Sequence, residues 1–189
     1  MKNRMIGLVM VMMLAAGTAF AAGETGTVDV DVYVTPGGIT VSLTASPTYY
    51  NFGVVDVNTS SNSATAITLA NTSAVSVNMD KTVHAINGGG TIVLVAAAPA
   101  AENEFRLRCV EKATRATLDT DFGDASADFS TALDTYNNLT SAGGAVQVVL
   151  DASGGTDSSD DVWFQIDMPA TVNDSTQRKF DITYRGTAN

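Results

Sequence analysis

The chain has 189 residues, 45% hydrophobic and 16% charged, with 20 acidic side chains against 10 basic ones and a formal net charge of −10. That length suits one ordinary domain with a real core and would cramp two. The charge argues against nucleic acid or anionic lipid as a partner, since phosphate is repelled by an acidic surface, and an acidic solvated surface is its plainest meaning.

At the start of the chain, Lys2 and Arg4 precede an apolar run from Met5 to Ala16 and then the small-residue exit Ala19-Phe20-Ala21. A positive end, a short apolar stretch and small side chains before a cut predict a secretory signal peptide over residues 1–21. The run is too short for a comfortable span and no later segment is long and uncharged enough, so no membrane insertion is expected after signal removal. The mature protein then begins near Ala22 as a single domain over 22–189, secreted to the exterior, the cell surface or the periplasm. Because the signal takes two of the ten basic residues and none of the twenty acidic ones, eight remain against twenty, a charge of −12.

Val28, Val30, Val32 and Val34 alternate with Asp29, Asp31 and Tyr33, which predicts a strand over 25–34 that Pro36-Gly37-Gly38 ends. Two readings of it stand open. It pairs within its own sandwich as an ordinary first strand, or it inserts into the open sheet of a neighbouring copy, the four valines filling successive pockets. Ile39, Val41 and Leu43 resume the alternation, and further strands are expected at 49–56, 64–70, 74–79, 91–97, 104–112, 145–151, 161–167 and 178–187. Clusters such as Asn58-Thr59-Ser60-Ser61-Asn62-Ser63, Asn87-Gly88-Gly89-Gly90 and Ser153-Gly154-Gly155 supply turns between them. Many short strands with almost no helical period define an all-β chain folded as a two-sheet sandwich. One stretch departs from this: Phe129, Leu133 and Tyr136 recur at helix-like intervals behind Ser126 or Asp128 as a cap, predicting a short helix near 126–139.

Cys109 is the only cysteine, so no internal disulfide forms. In Phe105-Arg106-Leu107-Arg108-Cys109-Val110 it shares the apolar face with Phe105 and Leu107, which predicts a buried thiol. The only histidine, His84, has no partner motif near it. The alternation assigns Arg106, Arg108, Lys112, Arg115, Arg178, Lys179 and Arg185 to solvent-facing positions; a site for an acidic partner, such as a neighbouring copy, is the alternative.

Two groups of residues are candidates for ligand chemistry. Asp119, Asp121 and Asp124 alternate around Gly123, as a hard cation such as calcium would want, but the twelve-residue loop and its terminal glutamate are missing and a solvated acidic loop is the plainer reading. Trp163, Tyr49 and Tyr50 could stack on a sugar, although a lone tryptophan between Val162 and Phe164 suits core or edge packing better. Asp157, Asp160 and Asp161 suit an exposed turn, as do the Asn-x-Ser/Thr triplets at Asn58, Asn71, Asn138 and Asn173. No nucleophile elbow, zinc spacing or phosphate-binding glycine loop is present, so no catalytic residue is assigned, and no enzyme activity or obligatory cofactor is expected.

Two resemblances add to this. Tyr50-Asn51-Phe52-Gly53-Val54-Val55-Asp56, with Ala66-Ile67-Thr68-Leu69-Ala70-Asn71-Thr72-Ser73 after it, resembles the opening of immunoglobulin-like modules of the ASPM, SPD-2 and hydin type and their bacterial surface relatives. Asp161-Val162-Trp163-Phe164-Gln165-Ile166-Asp167, with Lys179-Phe180-Asp181-Ile182-Thr183-Tyr184, is similar to the closing hairpin of bacterial cell-surface β-proteins, including WxL-like wall domains. Val162-Trp163-Phe164 departs from the WxL motif, so peptidoglycan attachment does not carry over. The resemblances imply an immunoglobulin-like antiparallel β-sandwich built into the cell surface of a bacterium. Together with the terminal strand they make a filament subunit, partnered by its own copies or other surface components, the leading expectation; a carbohydrate- or calcium-binding surface module is the alternative.

Overall fold

The computed structural model describes residues 27–37, 41–88, 91–144, 146–173 and 175–189. The expected signal peptide lies outside them, as do the first two residues of the expected terminal strand. Two sheets pack face to face. The first holds β1 (Thr27–Gly37), β3 (Tyr49–Asp56), β6 (Val77–Gly88), β9 (Asn137–Asn138), β10 (Val149–Leu150) and β12 (Arg178–Ala188) in the order β10-β6-β12-β1-β3, with β9 also on β6. The second holds β2 (Leu43–Ser46), β4 (Ser60–Asn62), β5 (Ile67–Asn71), β7 (Val93–Leu94), β8 (Glu104–Glu111) and β11 (Ser159–Asp167) in the order β2-β5-β11-β8-β7, with β4 beside β11. Pairing is antiparallel except for β1 on β12 and β7 on β8.

The period-two pattern decides which faces meet. In β12, Phe180, Ile182 and Tyr184 are buried while Asp181, Thr183 and Arg185 between them are partly open. They meet Phe105, Leu107 and Cys109 of β8 and Phe164 and Ile166 of β11 in a single core, with the Phe105 and Phe180 rings 6.3 Å apart, edge to face. Each such fully buried large side chain contributes about 1.5–3 kcal/mol relative to exposure.

β1 fills the slot between β12 and β3, parallel to the first and antiparallel to the second. Val30 and Val32 are fully buried in the core; the side chains of Val28 and Val34 lie outside the described residues. The strand ends later than expected, running through Pro36 and Gly37. Its pairing with β3 stops at Tyr33–Tyr49, so the missing N–H of Pro36 costs no bond on that side. A register shift at Val30–Asp31 faces Gly53, whose φ of +70° supplies the left-handed backbone that a bulge needs and a side chain resists.

Two expectations are corrected. No helix spans 126–139: a 3-10 turn covers Ala125–Ala127, Phe129 is buried, and Leu133 is exposed. Asp134, at φ 58°, breaks any helical path, and the Phe129 N–H donates to the Leu107 carbonyl, which draws the segment onto β8. A single helical turn, α1, occupies Leu118–Asp121 instead. The basic residues are not all solvent-facing either, since Arg108 is 5% exposed and Arg178 fully buried. Arg106 and Arg108 do lie on the outer side of β8, but the excursion between β8 and β9 folds back over that side. Ala116, Phe122 and Ala127 from it form a second apolar cluster with Val110 and Trp163.

Candidate functional site

Three neighbouring strands build a polar array on the outer side of the second sheet. Direct cross-strand partners share a face, so Ser60 on β4, Asp167 on β11 and Arg106 on β8 stand in one row, and Asn62, Gln165 and Arg108 in the next. Arg108 donates from Nη2 to both Asp167 carboxylate oxygens at 2.8 and 3.1 Å and from Nη1 to the Phe122 carbonyl at 3.0 Å. Arg106 grips Asp128 with Nε at 2.6 Å and Nη2 at 2.9 Å, which leaves Nη1 with Asp167 only at 3.9 Å. Fork-on-carboxylate pairing of this kind fixes geometry as well as charge. The Asp128 contact holds the Arg106 guanidinium above its ordinary pKa.

Above the first row opens a pocket of about 430 Å³ whose walls include Arg106, Arg108, Asp167, Thr59, Pro99 and Gly123. In the row behind it, Asn62 Oδ1, both amide atoms of Gln165 and Arg108 Nε are buried without a hydrogen-bond partner among the described residues. Buried polar atoms ordinarily find a partner in protein, ligand or ordered water, so this face has hydrogen-bonding capacity beyond what its own side chains use.

The candidates singled out from sequence lie elsewhere. Trp163 is 8% exposed, packs in the second cluster and donates from Nε1 to the Lys112 carbonyl at 2.8 Å, so its indole offers no face to solvent. Tyr49 is exposed at the start of β3. Tyr50 accepts from the Ala64 N–H at 2.7 Å and meets Phe52 edge to face at 4.9 Å. The three aromatic side chains form no common platform. Asp121 accepts from Lys112 Nζ at 2.6 Å and from the Thr117 N–H, and Asp124 accepts from the Ser126 N–H at 2.7 Å. Both carboxylates thus serve the fold. The Asp119 side chain lies outside the described residues, and among those residues no three His, Cys, Asp or Glu side chains are placed to hold a metal.

Sequence reading placed the Cys109 thiol inside, and it is fully buried, with its pKa pushed up by that burial. Its two polar neighbours carried no signal. Tyr184 donates to Cys109 Sγ at 3.4 Å, and Lys81 enters the core from β6. Lys81 Nζ donates to the carbonyls of Cys109, Ser126 and Ala127 at 3.2, 2.8 and 2.9 Å and stands 5.3 Å from the Phe129 ring centre. Burial lowers its pKa, while three carbonyls and an aromatic face compensate the ammonium.

A carboxylate group gathers where β11 begins. Burial, then the charges of Glu111, Asp157 and Asp161, push the Asp160 carboxyl up to about 6 from an ordinary 3.8. A folded-state value above the unfolded one means that stability falls as pH rises from about 4 to about 6 and is flat beyond. Asp160→Asn is expected to stabilise the protein by about 1 kcal/mol at pH 7, the full shift being reduced by solvent screening at a half-exposed site, and to change nothing near pH 3. Urea titrations at the two pH values check this, and equal stabilisation at both would contradict it.

These features define a β-sandwich with a structured polar outer face. A scan against protein-family models and a search of curated proteins both return no match to this chain.

Proposed function

We propose that the chain is an exported structural protein of the cell surface that assembles into filaments by exchanging its N-terminal strand between copies. The observation that carries this reading is the place of β1, a terminal strand seated in the middle of a sheet between β12 and β3. Withdrawing an edge strand leaves a sheet intact, whereas withdrawing this one opens two facing ladders and a hydrophobic slot that the same strand of another copy fits by identity. Backbone hydrogen bonds supply affinity and the alternate valines supply register. The signal-like first 21 residues support export. Eight of the ten basic residues remain after such a cut against twenty acidic ones, an acidic excess that favours solubility before assembly.

The test mixes two single-cysteine proteins made in a Cys109→Ala background. One carries Tyr33→Cys and the other Asp181→Cys, two positions that are direct partners in the β1–β12 register. Facing Cα atoms on paired strands lie within disulfide reach, so exchange yields a disulfide between chains, seen as a dimer on a non-reducing gel. Filaments by negative-stain microscopy that vanish when residues 22–35 are deleted complete the expected result. No interchain bond, with monodisperse monomers at high concentration, would reject assembly.

A further inference from the structure

We infer that the pocket on the outer side of the second sheet is a binding site for a neutral polyhydroxyl ligand, one or two sugar units of a glycan. The charges around it cancel. Arg106 is held by Asp128 and Arg108 by Asp167, so the two guanidinium and two carboxylate groups leave no net charge to select an ion. An anion meets Asp167 and a strongly acidic protein; a cation meets carboxylates already bound by arginine. A hydroxyl group meets neither obstacle, because it accepts and donates at once.

The unused hydrogen-bonding groups match that chemistry. Arg106 Nη1 makes no hydrogen bond among the described residues and lies 3.9 Å from the Asp167 carboxylate. A hydroxyl seated between them accepts from the first and gives its proton to the second. Neighbouring hydroxyls on a sugar ring present this alternation repeatedly, and Ser60 and Asn58 at the rim offer a further hydroxyl and amide. Ala98, Pro99 and Met168 add apolar walls of the kind that the C–H face of a ring covers. The four unpartnered atoms of Asn62, Gln165 and Arg108 lie in the row directly behind. Of these residues Arg108 also lines the pocket, so its unpartnered Nε is one more donor beside it, whereas Asn62 and Gln165 are not among the lining residues. A volume of about 430 Å³ lies in the range of small-molecule sites.

Two variants test the inference in the intact mature chain. Ala98→Trp fills the mouth from an exposed loop position and leaves every ion pair in place. Arg106→Lys keeps the charge but loses the fork that orients Nη1. Protein-observed NMR titrations use glucose, galactose, N-acetylglucosamine, cellobiose and lactose, with glucuronate and glucosamine as charged comparisons. At least one neutral sugar is expected to bind saturably in the millimolar range and at least tenfold more weakly to each variant, while melting temperatures confirm that both fold. No saturable binding by any neutral sugar, binding undiminished in Ala98→Trp, or at least tenfold tighter binding of a charged sugar would each overturn it.

Discussion

Lys81→Met should lower the unfolding free energy by about 3 kcal/mol. Methionine matches the volume and removes the desolvation of a buried ammonium, but it leaves the carbonyls of Cys109, Ser126 and Ala127 without the donor they share. Each buried carbonyl stripped of its partner costs about 1–3 kcal/mol, and relief of the desolvation keeps the total near the lower end of that sum. The effect is local before it is global. Two of the three carbonyls belong to the Ala125–Ala127 turn, so hydrogen exchange across residues 125–129 should accelerate first while the β12 amides keep their protection. Unchanged exchange in that turn, with wild-type stability, would show that the lysine is merely accommodated.

Asp167→Ala should be comparably severe, with a loss of about 3–5 kcal/mol. It strands Arg108, whose side chain is 7% exposed, and removes the carboxylate that Arg106 Nη1 approaches at 3.9 Å. The penalty comes from the buried unpaired charge more than from the lost attraction, and a second variant separates the two. Replacing both partners, Arg108→Leu with Asp167→Leu, should recover most of the loss, because an apolar pair removes the stranded charge altogether. Chemical denaturation of the two proteins reads this directly. A double variant as unstable as the single one would locate the cost in packing instead.

How much of this was legible in the sequence depended on whether each signal was local. β3 occupies 49–56 as its alternation predicts, and β8, β11 and β12 fall within two residues of expectation. Strand β6 continues to Gly88, well past the expected end at 79, because a lysine stands at an inward position and interrupts the apolar period. β4 reads as a loop, since Ser60, Ser61 and Asn62 have no apolar alternation; it is a strand because β11 offers a free edge there. Helix-like spacing at Phe129, Leu133 and Tyr136 misleads for a related reason: Phe129 is claimed by the core and Tyr136 by Arg185, whose guanidinium lies 3.9 Å from its ring centre.

The polar array shows the limit most clearly. Period two correctly puts Arg106 and Arg108 opposite Phe105, Leu107 and Cys109. It carries no information on what lies above that side, which here is a chain segment folding back from positions 112–130. Trp163 shares this fate, its indole covered by the same segment. The one available hint was composition: β11 carries the polar Gln165 and the acidic Asp167 on one side, as β8 carries Arg108 and Arg106, but recognising that they stand opposite each other requires the register of β11 on β8.

The parallel alignment of β1 with β12 has a mechanical consequence. Thr27 and Ala188 lie toward opposite poles of the sandwich, since the first strand begins near Arg178, where the last one starts. Tension applied ahead of β1 and beyond β12 therefore drags the two strands past each other along their own axis. Every rung between them, from Val30–Arg178 to Gly37–Arg185, is loaded at once and none peels open in turn. A body joined to its neighbours through these ends resists being pulled apart in shear.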